Sequence, residues 1–292
     1  MGELYVVATP IGNLSDISQR ALDVLRSVDI VAAEDTRRTL GLLSHFGISV
    51  TVISNYKHNE QMRARQLVER IITENISVAV VSDAGTPCIS DPGSLLVRLA
   101  RENDIKVSVV PGASAVTAAL SVSGFNFVRF AFWGFIPRTN KEKDVYFSSI
   151  KNSDCDTFVL FESPNRIAAS LKDLAKNLPG CELMVINDIT KFHEKTYWGD
   201  VTRVISAVEA FSNSNLGEYT IVVHMKQANE RENEAGSASA NVSVEALLVD
   251  EIVKHNFSMK DAAAALVSRG VASRNDAYKA MLNLKVHFSH IE

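Results

Sequence analysis

The sequence predicts an α/β protein with two lobes and a small helical region at its C-terminal end. Short apolar segments rich in β-branched residues alternate with longer segments whose apolar residues recur at helical spacing. Most of the apolar segments run directly into loops made of glycine, proline, serine, threonine and aspartate. Because ligands bind at the carboxyl ends of strands in open α/β sheets, we expect the functional site in these loops.

Residues 1–122 are predicted to form the first α/β domain, around a parallel sheet. Its strands are expected at Leu4–Ala8, Val28–Ala33, Ile76–Val81 and Val107–Val110. Its helices are expected to include Ile17–Val28 and Gln61–Asn75. The third of these strands is apolar almost without interruption, which indicates burial on both faces of the sheet.

The loop that follows this strand, residues 82–93, is the most informative segment of the chain. It reads Ser-Asp-Ala-Gly-Thr-Pro-Cys-Ile-Ser-Asp-Pro-Gly, so an apolar strand changes at once to small, polar and turn-forming residues. Glycine lets the backbone approach a ligand closely, because it has no side chain to clash. Asp83 is a candidate ligand contact, although an aspartate in a turn also commonly bonds to its own backbone.

Residues 123–225 are predicted to form a second α/β domain that repeats this pattern more loosely. Strands are expected at Thr157–Phe161, Leu183–Ile186 and Tyr219–Met225. The aromatic stretch Phe125–Phe135 is interpreted as the junction between the two domains. The two lobes would then face a shared cleft.

The polar stretch 226–241 has almost no apolar side chains to bury, so it is predicted to be a linker. Residues 242–292 are predicted to be helical, because Ser258 to Asp261 and Ser273 to Asp276 resemble capping boxes with Asp in place of Glu. Gly270 is expected to end the first of these helices. Basic and acidic side chains are equal in number in this region, so packing or dimerisation is at least as good an interpretation as nucleic-acid binding.

Composition and motifs exclude several classes of protein. A formal net charge of −4 argues against broad wrapping of nucleic acid, so any RNA contact must be local. Neither a signal peptide nor a membrane-spanning run is recognisable, and the three cysteines indicate neither disulfides nor zinc, so a cytoplasmic protein without a membrane partner is expected. The chain also lacks the phosphate-binding, dinucleotide, zinc-protease and α/β-hydrolase motifs, which leaves chemistry without a metal at the strand ends.

Seven short motifs occur in the order in which one known family carries them. They are Thr9–Leu14, Ala33–Arg37, His58–Glu60, Ser82–Pro87, Asp91–Gly93, Gly134–Phe135 and Phe161–Ser163. On these residues nearly the whole chain resembles the tetrapyrrole methylase superfamily, and within it the bacterial 16S rRNA ribose 2′-O-methyltransferases that act on a decoding-site cytidine. The corrin- and porphyrin-methylating relatives typically have Gly-Asp-Pro where this chain has Ser82-Asp83-Ala84, which favours the RNA-modifying branch.

The resemblance implies a tetrapyrrole-methylase-like fold, with two αβα domains and S-adenosylmethionine bound in the cleft between them. This methyl donor is a zwitterion with a sulfonium group and no phosphate, so a loop that has an aspartate and no lysine suits it. The residues implied to bind the cofactor are Pro10, Gly12, Ser82, Asp83, Ala84, Gly85, Ser114, Ala115 and Glu162. No metal is implied.

The implied reaction is an in-line transfer of the methyl group to a ribose 2′ oxygen. Candidates for the base that accepts the hydroxyl proton are Glu34, Asp35, His58, Glu60 and Glu194, and the sequence does not choose among them. Helix capping and pairing with arginine are the structural alternatives for the first two of these residues.

The implied partner is 16S rRNA, within the small ribosomal subunit, with an unpaired nucleotide flipped into the site. Arg37 and Arg38 are the preferred RNA contacts, with salt bridges to Glu34 or Asp35 as the alternative. Arg166 and Lys191 are further candidates, and a solvated surface is the alternative for the basic cluster at Lys191. A homodimer is implied by the family. The chain departs from the family pattern at Ala113, Asn165 and Asn187–Asp188, which leaves the second-lobe contacts less defined.

Two other functions stay open at this point. One is methylation of a tetrapyrrole or corrin precursor in the same cleft. The other is a non-catalytic RNA-binding module in ribosome assembly, whose binding to RNA would not depend on the cofactor.

Overall fold

Two five-stranded sheets form the framework of the fold, as shown by a computed structural model. The structure describes residues 2–211, 217–225, 243–255 and 257–288. The chain divides into two units, Met1–Lys226 and Gln227–Glu292, and both sheets belong to the first unit. The predicted linker, 226–241, lies outside the described residues.

The first lobe is built on an all-parallel sheet, as the sequence predicts. Its strands are β1 (Glu3–Val7), β2 (Ile30–Ala33), β3 (Thr51–Ser54), β4 (Val78–Val81) and β5 (Lys106–Val110), in the order β3-β2-β4-β1-β5. Its helices are α1 (Gln19–Ser27), α2 (Thr36–His45), α3 (Glu60–Glu74) and α4 (Ser94–Glu102). The register pairs Ala33 with Val81, so the loops after β2 and β4 leave the sheet side by side.

Alternate side chains of each central strand enter different cores, which explains the unbroken apolar run of β4. Val78 and Val80 pack with α3 and α4, whereas Ala79 and Val81 pack with α1 and α2. All four are at most 3% exposed. Burying a side chain of valine size stabilises a fold by about 1.5–3 kcal/mol, so the position of this strand is strongly determined.

The second lobe has a mixed sheet. Its strands are β6 (Phe130–Phe135), β7 (Thr157–Glu162), β8 (Cys181–Asn187), β9 (Lys195–Asp200) and β10 (Tyr219–Met225), in the order β6-β7-β10-β8-β9. Only the β6–β7 pair is parallel among these described strands. The helices of this part are α5 (Ala115–Val122), α6 (Asn140–Lys151), α7 (Ile167–Asn177) and α8 (Val201–Phe211).

Helix α5 connects the two sheets. It follows β5 of the first sheet, but its buried residues Val116, Ala119 and Leu120 pack against Val159 and Val222 of the second. The opposite face of the second sheet is covered by α6, α7 and α8. The first turn of α5 is therefore held between the lobes.

The described part of the second unit contains the helices α9 (Val244–His255), α10 (Met259–Ser268) and α11 (Arg274–Phe288). The predicted caps are confirmed, since Ser258 accepts from the Asp261 N–H at 3.2 Å and Ser273 accepts from the Asp276 N–H at 3.1 Å. Gly270 follows α10 with φ +71°, as the sequence predicts for a helix end. Within the described ranges, no helix has the length and apolar character needed to cross a bilayer.

Candidate active site

A cleft of about 360 Å³ opens between the two lobes at the carboxyl ends of the first sheet. We call it the larger cleft. From the first lobe and α5 it is lined by Ile11, Glu34, Arg38, Asp83, Ala84, Gly85, Thr86, Ile89, Ser90, Asp91, Ser114, Ala115 and Val116. From the second lobe it is lined by Phe135, Phe161, Glu162, Ser163, Pro164, Ile189, Gly217, Glu218, Tyr219 and Thr220.

The floor of this cleft is made by the loops after β1 and β4, which are bound to each other. Thr9 and Gly85 exchange two backbone hydrogen bonds of 3.0 and 3.1 Å, and the Thr9 hydroxyl also donates to the Ser82 carbonyl at 3.2 Å. Gly85 has φ +81°, and a Cβ there would lie 3.2 Å from Ile11. Glycine is therefore favoured by the backbone angle, and a Cβ at this position would also crowd the Ile11 side chain.

Asp83 does not bond to its own turn, which was one alternative. Its Oδ1 accepts from the backbone N–H of Asp35 at 2.9 Å, and its Oδ2 lies 3.4 Å from the Arg38 guanidinium. The carboxylate therefore joins the loop after β4 to the start of α2. It also faces both the larger cleft and the smaller cavity described below.

Glu34 is the first residue after β2, and its carboxyl group faces the larger cleft. Burial, together with the nearby charges of Asp91 and Asp83, raises the pKa of Glu34 above the usual 4.5. Burial and Asp83 likewise raise the pKa of Asp91. A carboxylate with a raised pKa is a better proton acceptor, so this position suits a general base.

The other predicted bases have structural partners or lie away from the cavities. Asp35 caps α2 and binds Arg37 through two contacts of 3.1 and 2.7 Å, and these bonds lower its pKa to about 2. Glu60 accepts from the Gly93 and Leu95 N–H groups at 2.7 and 3.3 Å, at the start of α4. Glu194 accepts from the Thr190 N–H at 2.6 Å. His58 stands edge-on to Tyr56 and lines neither cavity.

In the second lobe, Glu162 and Arg166 form a buried pair. The Glu162 side chain is 0% exposed, lies 3.1 Å from Arg166, and accepts from Ser170 and the Ser163 N–H at 2.5 and 2.7 Å. Arg166 also donates to the Ile136 and Pro137 carbonyls at 2.6 and 2.9 Å. These bonds hold Arg166 inside the lobe, so its donors point away from an external RNA.

A second cavity of about 290 Å³, which we call the smaller cavity, adjoins the larger cleft. The two share Ile11, Arg38, Asp83, Ala84 and Glu218. The remaining lining residues of the smaller cavity are Thr9, Pro10, Gly12, Leu14, Thr39, Gly41, Leu42, Ser82 and Lys191. The predicted cofactor residues are therefore divided, with Pro10 and Gly12 in the smaller cavity and Gly85, Ser114, Ala115 and Glu162 in the larger cleft.

The arginine and lysine residues proposed for RNA binding are mostly paired. Arg37 is bound to Asp35, Arg38 lies beside Asp83, and the Lys191 ammonium contacts Asp188 at 2.6 Å and Glu218 at 3.3 Å. Arg37 and Arg38 keep most of their side chains in solvent. Exposed pairs of this kind contribute little free energy, so a phosphate can compete for these side chains.

Six residues of the larger cleft belong to the seven motifs but were not predicted as site residues. They are Ile11, Thr86, Asp91, Phe135, Phe161 and Ser163. The signal for Asp91 was its position in the 82–93 loop, where it lies close enough to Glu34 to raise the pKa of that residue. The two phenylalanines contact each other edge to face at 5.7 Å and give the cleft an aromatic wall. Among the described residues, no group of three histidine, cysteine or carboxylate side chains is placed to hold a metal ion.

Comparison with known proteins agrees with this architecture. The model of the family described as Tetrapyrrole (Corrin/Porphyrin) Methylases matches residues 3–205. Among solved structures, a diphthine synthase has a TM-score of 0.59 at 18% identity, covering 84% of this chain and 98% of its own. A uroporphyrin-III-C-methyltransferase from Thermus thermophilus, complexed with S-adenyl homocysteine, has a TM-score of 0.53 at 15% identity, covering 76% and 97%. The fold is thus that of the methylase class.

The relatives in sequence are more specific. The ribosomal RNA small subunit methyltransferase I of Vibrio cholerae is 40% identical over 94% of this chain and 93% of its own length. The protein of the same name from Thermotoga maritima is 41% identical over 78% of this chain and 100% of its own length. The chain therefore belongs to the tetrapyrrole methylase family and, within it, to the family of ribosomal RNA small subunit methyltransferase I.

Proposed function

We propose that this protein transfers the methyl group of S-adenosylmethionine to the 2′ oxygen of a decoding-site cytidine in 16S rRNA. The observation that carries the proposal is the larger cleft, where the raised pKa of Glu34 marks a proton acceptor beside a cavity of cofactor size. The names of the sequence relatives support rRNA as the acceptor. The choice of the ribose 2′ oxygen and of the decoding-site cytidine rests on the motif resemblance.

The charge of the larger cleft suits this methyl donor. Glu34, Asp83, Asp91 and Glu218 face it, whereas Arg38 is the one cation among its described lining residues. S-adenosylmethionine carries a sulfonium and an ammonium group against a single carboxylate, so an acidic cleft attracts it. The free N–H groups at the start of α5 suit the donor's carboxylate, and the aromatic wall suits its adenine ring.

The proposed step is a single displacement. The ribose 2′ oxygen forms a bond to the methyl carbon while the bond from that carbon to sulfur breaks, which leaves a neutral thioether. The hydroxyl proton passes to the Glu34 carboxylate and from there to solvent. Alignment supplies the larger share of the acceleration, about 7–11 kcal/mol at best, whereas one base contributes about 10²- to 10⁴-fold.

The acceptor is proposed to enter as an unpaired nucleotide flipped out of the RNA. A flipped nucleotide is read in a pocket, so the net charge of −4 is compatible with an RNA substrate. Exposed Arg37 and Arg38 are proposed to contact the flanking backbone. We further propose a cytoplasmic homodimer that acts on the small ribosomal subunit.

The experiment is transfer of labelled methyl from S-adenosylmethionine to three acceptors in parallel. These are small ribosomal subunits that lack the modification, the naked rRNA from them, and a porphyrinoid precursor. We expect label in RNA and, after nuclease digestion, in a 2′-O-methylcytidine. Label in the porphyrinoid alone would overturn the proposal, and so would RNA binding without any transfer.

A further inference from the structure

We infer that the smaller cavity receives the acceptor nucleotide and that Phe192, the residue after Lys191 of that cavity, stacks on a neighbouring base of the same RNA. This inference rests on the proposed function and assigns the substrate side of the site. Gly41, which bounds this cavity, and Phe192 both lie outside the seven motifs.

The two cavities differ in charge, which separates the two substrates. Carboxylates outnumber cations in the described lining of the larger cleft, whereas Arg38 and Lys191 balance Asp83 and Glu218 in the smaller cavity. A nucleotide brings a negative phosphate and is repelled by the acidic cleft more than by the balanced cavity. Because the cavities share the wall at Ile11 and Asp83, a donor in one and a ribose in the other would meet there.

Phe192 lies in the loop between β8 and β9, one residue after Lys191 of the smaller cavity. Its side chain is 96% exposed. Among the ring contacts of the described residues, Phe192 makes one, edge to face with His193 at 4.9 Å between ring centroids. Exposing a phenylalanine ring to water costs free energy, and a base of single-stranded RNA is a partner that covers such a ring by stacking.

The loop that carries Phe192 is held in place before any RNA binds. The Thr190 hydroxyl accepts from the Asn13 N–H of the first lobe at 3.2 Å, and the Lys191 N–H donates to the Asp188 carbonyl at 2.9 Å. Asp188 and Thr190 both have positive φ values, 55° and 65°, which these bonds and the Glu194 carboxylate maintain. The ring is therefore presented by a fixed loop beside the smaller cavity.

Gly41 offers an independent steric test, because it lines the smaller cavity and not the larger cleft. It lies inside α2, and a Cβ built on it meets no atom within 4 Å. A longer side chain there projects into the cavity without disturbing a packed neighbour. It would exclude a nucleotide and leave the donor site as it is.

The experiment compares Phe192→Ala, Phe192→Trp, Gly41→Ala and Gly41→Met in the full-length protein. The acceptor is the unmodified small subunit, and calorimetry measures S-adenosylmethionine binding. We expect Phe192→Ala to raise KM for the subunit about 5- to 150-fold, with Trp restoring it. The loss of kcat/KM should grow from Gly41→Ala to Gly41→Met and reach about tenfold or more. Tyr278→Ala, an exposed aromatic of the second unit, is the matched control.

Donor binding should be unchanged in all these variants. An unchanged KM in Phe192→Ala would overturn the stacking contact, and this variant will fold because the side chain is almost fully exposed. Weakened donor binding in Gly41→Met would overturn the pocket assignment by placing the donor in the smaller cavity. If the wild type methylates RNA and the variants have the same KM and kcat/KM as the wild type, this inference fails while the proposed function stands. If the wild type methylates no RNA, the proposed function fails with it.

Discussion

The two lobes have the same number of strands but use their polar side chains differently. In the first lobe, the loops after the parallel strands leave Glu34 and Asp91 facing the cleft with raised pKa values. In the second lobe, Glu162 at the end of β7 is buried against Arg166 and two serines. The first lobe therefore supplies ionisable groups that face the cleft and can react, and the second lobe supplies residues that enclose the cleft.

The largest effect on chemistry is expected for Glu34→Gln, which removes the proposed base and keeps its shape. We expect the methyl-transfer rate to fall about 10²- to 10⁴-fold while donor binding changes little. Single-turnover transfer to small subunits measures this rate. Asp35→Asn is the matched control, since asparagine caps a helix as well as aspartate does and should cost far less activity. A wild-type rate in Glu34→Gln would return the base assignment to the other candidates.

The raised pKa of Glu34 also predicts how rate and stability depend on pH. A base acts only when ionised, so the rate should fall as pH drops through a value above the usual 4.5. A carboxyl group whose pKa is higher in the folded state than in the unfolded state destabilises the fold at pH values above its pKa in the unfolded state. Glu34→Gln should therefore raise Tm at neutral pH, and this gain should disappear near about pH 4. A Tm difference that does not change with pH would contradict the burial of this group.

In the second lobe, the comparison predicts a loss of stability in place of a loss of chemistry. Arg166→Ala leaves the 0% exposed Glu162 carboxylate without its cation, which should cost about 3 kcal/mol of unfolding free energy. Arg37→Ala removes an arginine that is 88% exposed and should leave stability within about 0.5 kcal/mol. Urea denaturation measures both. Equal losses would mean that the two lobes do not differ in this way.

Asp83→Ala tests whether the first lobe binds the donor through this loop. The carboxylate accepts from the Asp35 N–H and faces both cavities, so its loss should weaken donor binding by about 1.5–3 kcal/mol. Calorimetry with S-adenosylmethionine measures the affinity, and circular dichroism verifies that the fold survives. Unchanged affinity would remove Asp83 from the donor site.

A smaller effect than that of Asp83→Ala is expected for Glu60→Ala. Its carboxylate accepts from the Gly93 and Leu95 N–H groups, so it caps α4 and fixes the end of the 82–93 loop. Loss of a cap costs about 1 kcal/mol, and activity should fall only as far as the loop loosens. Glu142→Ala, in the capping box of α6, is the second-lobe counterpart and should cost a similar amount without affecting activity. A rate loss as large as that of Glu34→Gln would make Glu60 a reacting group.

Most of the first lobe could be predicted from sequence because its strands are buried on both faces. Strands β1, β2, β4 and β5 lie within two residues of their predicted bounds. Strands β3 and β9 were not predicted, since both are edge strands with exposed or half-exposed residues that interrupt the apolar pattern. Phe125–Phe135 was interpreted as a junction, and its residues Phe130–Phe135 form the edge strand β6.

The site was predictable in outline and not in detail. The seven motifs include many residues that line the two cavities, but Glu34 and Asp35 are neighbours in sequence whose side chains have different surroundings, one lining the larger cleft and the other bound to Arg37. The Asp83 contact with Asp35 depends on strand register, which pairs Ala33 with Val81 across two strands distant in sequence. The burial of Arg166 depends on carbonyl groups of Ile136 and Pro137, which no local pattern indicates.

Helix α5 has a thermodynamic consequence. Its first turn, at Ser114 and Ala115, lines the larger cleft, while its apolar face packs into the core of the second sheet. A ligand bound at this turn is linked to the unfolding of both sheets, because neither can unfold without moving the helix or the strand before it. Saturating the cleft should therefore raise the melting temperature of both lobes together, as one cooperative transition.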